Sequence, residues 1–138
     1  HNNELQAYTS RNTNIYVSDG ALHLRPARES WQGKRYTSGK VTTQGRAAWR
    51  YGRFVVRARL PTGDGLWPAA WMMPRDSKYG GWAASGEIDL MEAQGNDPTR
   101  TSSALHYSDV WPRNRRMMSM PVSMGVRRWA VPPMSCAW

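Results

Sequence analysis

A chain of 138 residues suffices for one domain with a real core and is too short for two ordinary ones. With 19 Lys and Arg against 10 Asp and Glu the formal charge is +9, a balance that favours acidic partners such as nucleic acid or anionic surfaces without selecting one. The single cysteine, Cys136, excludes an internal disulfide framework and a multi-cysteine zinc site; no apolar run of about 18 residues offers a membrane span; and the chain opens at His1 with no basic-then-apolar leader, so any secretory signal has been removed or was never included.

Short segments with period-two alternation, separated by Gly, Pro, Asn and Asp, predict an all-β fold, and no stretch carries a sustained helical stripe. "GALHLRP" follows a Ser18-Asp19-Gly20 turn and puts Leu22 and Leu24 on one face of a strand, His23 and Arg25 on the other. "YGRFVVRARLP" reads as the clearest strand, with Phe54, Val56, Ala58 and Leu60 on one face and Arg53, Val55, Arg57 and Arg59 on the opposite one. "PTGDGLWP" is a turn, after which Trp67, Ala69, Trp71 and Met73 share a side and Pro68 marks an edge or a bulged start. Composition changes near Asn114, beyond which a Met- and Arg-rich stretch contains no acid.

"ASGEIDLMEAQG" concentrates three carboxylates, Glu87, Asp89 and Glu92, in a chain with few acids elsewhere. In a regular strand Glu87 and Asp89 share a face and Glu92 has the wrong parity. One extra residue at Leu90-Met91, a β-bulge, returns Glu92 to their face and turns the bulged residues toward the core. Three acids on one face repel one another and separate their pKa values, the condition for acid and base chemistry at one site. Two carboxyls about 5–5.5 Å apart suit a retaining glycoside hydrolase. The competing reading is a solvated polar strand face with chance spacing.

"NNELQAYT", "YTSGKVTT", "WRYGRFVVRARLPTGDGLWPAAWMMP", "WAASGEIDLMEAQGNDP" and "LHYSDVWPRN" together resemble glycoside hydrolase family 16 in its laminarinase-like branch. The likeness covers about Asn2 to Asn114 and is strongest from Tyr51 to Asn96, where "GEIDLMEAQG" is similar to the family's Glu-x-Asp-x-x-Glu strand. It implies a concanavalin-like β-jelly-roll sandwich whose concave face carries a glucan cleft. It also implies internal cleavage of β-1,3-glucans by double displacement, with Glu87 as nucleophile, Glu92 as general acid/base and Asp89 orienting the nucleophile. The extra Met91 resembles the bulged form of β-1,3-active members. The intact relative would be secreted, with a β-1,3-glucan polysaccharide as partner rather than nucleic acid or membrane; oligomeric state is not indicated.

Trp67, Trp71 and Trp82 are the candidate sugar-stacking residues, with core packing as the alternative fate of each. Arg53 is expected to meet substrate hydroxyls or else to pair on the surface. Asn3 matches a family position that contacts sugar, or caps a loop. His106 resembles the family histidine that approaches the acid/base, with a structural role as the alternative. No catalytic metal or cofactor is indicated by the scattered histidines, and the structural Ca²⁺ of some family members has no identifiable ligands here.

The chain departs from the resemblance after Asn114. Residues 1–114 are expected to form the N-terminal part of a family 16 domain, and 115–138 a divergent basic tail without family strands, read from a shifted frame or an alternative splice, or else a genuine short variant. Two readings from other classes stand beside the hydrolase. A non-catalytic β-1,3-glucan recognition protein would have no need of all three acids. A nucleic-acid module would concentrate its basic residues in a stripe, whereas here they are spread along the chain.

Overall fold

The computed structural model describes residues 3–110, 112–118 and 122–123. Pro132-Pro133, Cys136 and most of the Met- and Arg-rich stretch lie outside them. The described residues form ten strands and no helix, in two compact units, 1–47 and 48–138.

In the first unit the strands are β1 (Gln6–Tyr8), β2 (Ile15–Ser18), β3 (Ala21–Leu24), β4 (Ala27–Trp31) and β5 (Lys34–Ser38). Two-residue turns set both hairpins. Asp19 and Gly20 have φ of 51° and 72°, and Gln32 and Gly33 have 48° and 77°, the left-handed pairs that match the twist of flanking strands. β1 joins the parallel side of β5, giving the order β1-β5-β4. The centre is polar rather than oily. Asn14 and Thr37 are fully buried, and Asn14 donates to Thr37 Oγ1 at 2.9 Å and to the Arg25 carbonyl at 3.0 Å. Thr37 in turn donates to Glu29 at 2.5 Å, which also pairs with Arg11. Every buried polar group of this set is partnered, as a low-dielectric site requires. On the β2–β3 hairpin the predicted division of faces holds, with Tyr16 and His23 stacked at 4.5 Å on one side. The Leu22 and Leu24 side is the exposed one.

In the second unit β6 (Ala69–Met72), β7 (Glu87–Glu92) and β8 (Arg100–Tyr107) are antiparallel neighbours, and β9 (Arg115–Met118) and β10 (Val122–Ser123) both pair with the far edge of β8. Ladder pairing on β8 thus corrects the expectation that strands end at Asn114. Arg115–Met118 lies antiparallel to Ala104–Tyr107 because an open edge of β8 offers unpaired N–H and C=O groups to whatever chain follows it.

The segment expected to be the clearest strand is also corrected. Residues 51–60 have no strand assignment, although Phe54, Ala58 and Leu60 remain more covered than Arg53, Val55, Arg57 and Arg59. The alternation is present; a ladder partner among the described residues is not, and a strand requires both. Pro68 behaves as expected, with β6 starting immediately after it.

Candidate active site

β7 carries the bulge that the acid spacing demands. Against β6, Ala70 pairs with Met91 and Trp71 with Asp89, which leaves Leu90 as the extra residue. Against β8, Asp89 pairs with Ala104 and Glu92 with Ser102, three steps on one strand against two on the other. The bulge takes the Leu90 carbonyl out of the ladder, and Ser103 Oγ donates to it at 2.9 Å. Of the two residues expected to turn inward, Met91 is buried at 5% exposure and Leu90, the extra residue, is half-buried.

Register then fixes the faces. Glu87 lies opposite His106, Asp89 opposite Ala104 and Glu92 opposite Ser102. Because those β8 partners are spaced by two, all three acids emerge on one face, together with Trp71 of β6.

The loops on either side are built to reach this face. Gly95 passes so close to the Gly63–Leu66 turn that a Cβ would sit 2.2 Å from the Gly63 carbonyl oxygen, and reciprocal backbone bonds (Gly63 N to Gly95 O, 2.9 Å; Gly95 N to Leu66 O, 2.8 Å) lock the two segments together. That docking holds Trp67 over the end of β7, where its indole N–H donates to Glu92 Oε1 at 3.1 Å. At the other end Gly86, with φ of 88°, turns the chain into β7, and the preceding loop presents Trp82, whose N–H donates to Glu87 Oε2. Each glutamate is therefore held by its own tryptophan.

Asp89, between them, is 4% exposed. Burial, reinforced by the charges of Glu87 and Glu92, raises its pKa to about 7; the hydrogen bond with Glu87 acts in the same direction and Arg116 opposes it. Near neutral pH Asp89 is therefore partly protonated, and in that form its O–H can donate to Glu87. On its other side Asp89 Oδ2 lies 3.2 Å from His106 Nε2, and the His106 ring tilts against Trp82 at 5.3 Å between centroids.

The oxygens of the two glutamates differ in kind. Glu87 accepts from Trp82 and is hydrogen-bonded to Asp89. Glu92 has one oxygen on Trp67, while Oε2 is buried without a hydrogen-bond partner. A carboxyl held by an indole N–H and a neighbouring acid is suited to attack, and one that keeps an oxygen outside any hydrogen bond is suited to carry a proton.

Of the residues singled out in the sequence, Glu87, Asp89, Glu92, Trp67, Trp71, Trp82 and His106 come together. The tryptophans are 60%, 39% and 40% exposed in chain order, which rules out the core-packing alternative for each. His106 departs from its expected neighbour: register sets it at the Glu87 end of the row, where it meets Asp89 rather than Glu92. Arg53 is exposed and makes no hydrogen bond or ion pair among the described residues. Asn3 belongs to the first unit and lines a shallow depression there with Glu4, Leu5 and Lys34–Tyr36. The sequence reading missed Arg116, which brings a guanidinium to within 3.8 Å of Glu92 Oε2.

Among the described residues one grouping of three potential metal ligands occurs, Glu87, Asp89 and His106. It does not fit the structural calcium implied by resemblance. Calcium takes an all-oxygen shell, and here one donor is an imidazole nitrogen within the acid row itself.

A row of carboxylates lifted by a bulge onto an aromatic-flanked face is the equipment of a carboxylate-dependent glycosidase. The chain belongs to glycosyl hydrolases family 16, whose model matches residues 2–123 and so runs past Asn114. It is 47% identical over 121 residues to glucan endo-1,3-beta-glucosidase A1 of Niallia circulans, covering 83% of this chain and 18% of that protein. It is also 47% identical over 112 residues to the glucan endo-1,3-beta-glucosidase of Cryptopygus antarcticus, covering 77% and 41%. The solved laminarinase of Rhodothermus marinus superposes with a TM-score of 0.79 at 38% identity, over 91% of this chain and 51% of that one. The fold is accordingly all-β, of the family's concanavalin-like jelly-roll class, of which this chain carries part. The chain spans about half the length of that structure and less than half of the two curated relatives.

Proposed function

We propose that this chain carries the catalytic strand of an endo-β-1,3-glucanase that hydrolyses internal bonds of laminarin-type glucans with retention. The observation that supports the reading most is the unequal dressing of the two glutamates on one face of β7. Glu87, steered by Trp82 and by the Asp89 proton, attacks the anomeric carbon. Glu92 protonates the departing glycosidic oxygen and then, as a base, activates the water that releases the glycosyl-enzyme. Asp89 keeps Glu87 aimed by donating to it, and His106 fixes Asp89 from behind. The exposed faces of Trp67, Trp71 and Trp82 offer stacking surfaces for glucose rings. A polymeric substrate places the enzyme outside the cell, since a glucan chain does not cross a membrane intact. A purely glucan-binding role would not call for a complete carboxylate row.

The test is a chimera in which residues 2–123 replace the matching segment of the Rhodothermus marinus laminarinase. Hydrolysis of laminarin to internal fragments, with β-configured reducing ends seen first by NMR, is expected. A folded chimera that binds laminarin and never cleaves it would establish the binding reading instead.

A further inference from the structure

The row of acids meets a cation from a stretch in which the sequence shows no strand alternation. β9 sets Arg116 opposite His106, which is itself opposite Glu87, so Arg116 belongs to the carboxylate face. Its Nη2 is 3.8 Å from Glu92 Oε2, beyond hydrogen-bond length, and that oxygen is buried with no hydrogen-bond partner among the described residues. The charged and titratable groups around it are Glu87, Asp89 and Glu92 of β7 and His106 of β8, while the β6 residues facing them, Ala69 and Trp71, bring no charge. A buried carboxylate oxygen with neither hydrogen bond nor counter-charge is costly, and here the guanidinium is the compensation within reach.

We propose that Arg116 is a positioning residue for the carboxylate row, the cation against which Asp89 and Glu92 are held, and that it acts through them without touching the sugar. Two features beyond contact support this. The guanidinium opposes the upward shift of Asp89, so it bears on the protonation of Asp89. It is also 44% exposed while the Glu92 side chain is 16% exposed, so its charge reaches the row from the solvent side. The kinetic part of the argument rests on the glucanase reading; the electrostatic part does not.

The experiment is a carboxyl ¹³C NMR titration of the full 138-residue chain, in the wild type, in Arg116→Gln and in Arg116→Lys. In Arg116→Gln the Asp89 midpoint should rise by about half a unit, an order expected for removing one charge at a partly solvated site. Arg116→Lys should hold it near the wild-type position, because it keeps the charge. Amide shifts of β8 report whether the sheet survives each change. A midpoint that stays put in Arg116→Gln with β8 intact, or that moves equally in Gln and Lys, overturns the proposal. In the chimera, the same Gln substitution should move the matching limb of the kcat/KM profile in the same direction with KM little changed. A shifted midpoint in a chimera that never cleaves laminarin defeats the glucanase reading alone; hydrolysis with an unmoved midpoint defeats the role of Arg116 alone.

Discussion

Asp89→Asn is the substitution that most directly exposes the energetics of the acid row. The folded state holds the Asp89 proton with an apparent pKa of about 7, against an ordinary value of 3.8, because the carboxyl is buried between two other acids. A group whose pKa is raised on folding contributes stability that is complete below its unfolded value and is lost as pH rises through the folded one. Between about pH 4 and pH 7 the wild type should therefore lose stability as pH rises, with a ceiling near 4 kcal/mol from three units at about 1.36 kcal/mol each. Relaxation and water access reduce that ceiling. Asn is neutral throughout, donates an N–H toward Glu87 as the protonated acid does, and keeps an oxygen for His106. The variant should match the wild type near pH 4 and exceed it at pH 8 by a few kcal/mol. Urea unfolding followed by tryptophan fluorescence at pH 4, 6 and 8 measures the difference directly. Glu29, whose pKa is lowered by hydrogen bonds from Arg11 and Thr37, titrates alike in both proteins and cancels. Parallel stability curves for the two proteins would refute the claim that burial among acids raises the pKa of Asp89.

Three further perturbations probe how the site is built. Gly95→Ala forces a Cβ into the Gly63 carbonyl and should cost about 3 kcal/mol or more in urea unfolding, with near-wild-type stability the contrary result. Ser103→Ala leaves the Leu90 carbonyl of the bulge without its donor and should cost about 1–3 kcal/mol, whereas Ser102→Ala, at a position bonded to no bulge carbonyl, should cost less. Trp67→Phe keeps an aromatic ring and removes the N–H on Glu92; in the chimera it should lower kcat about tenfold, and unchanged kcat would detach that bond from the chemistry.

How much of this was legible in the sequence depends on whether the information is local. The parity of Glu87, Asp89 and Glu92 forces a bulge within one strand, and the bulge is there. Asp19-Gly20 and Pro68 act through their own dihedrals and hydrogen-bonding limits, and both mark the chain as expected. Residues 51–60 show the opposite case, since alternation declares a willingness to pair while the pairing is decided by another part of the chain. β9 is the converse again: Arg115–Met118 has no signature of its own, yet the free edge of β8 recruits it and so delivers Arg116 to the acids. The Asn14–Thr37–Glu29–Arg11 network, buried at Asn14 and Thr37, was also invisible, because hydrophobic periodicity does not register a centre made of hydrogen bonds.

The central claim is that Glu87 is the nucleophile of a retaining reaction, and azide rescue tests it most directly. In the chimera, Glu87→Ala with an aryl β-laminaribioside should be inactive alone and should recover turnover with azide, which enters the face the carboxylate vacated and gives the α-glycosyl azide. Formation of the β-glycosyl azide instead would mean that azide had intercepted a glycosyl-enzyme made by another residue, and Glu87 would then not be the group that attacks.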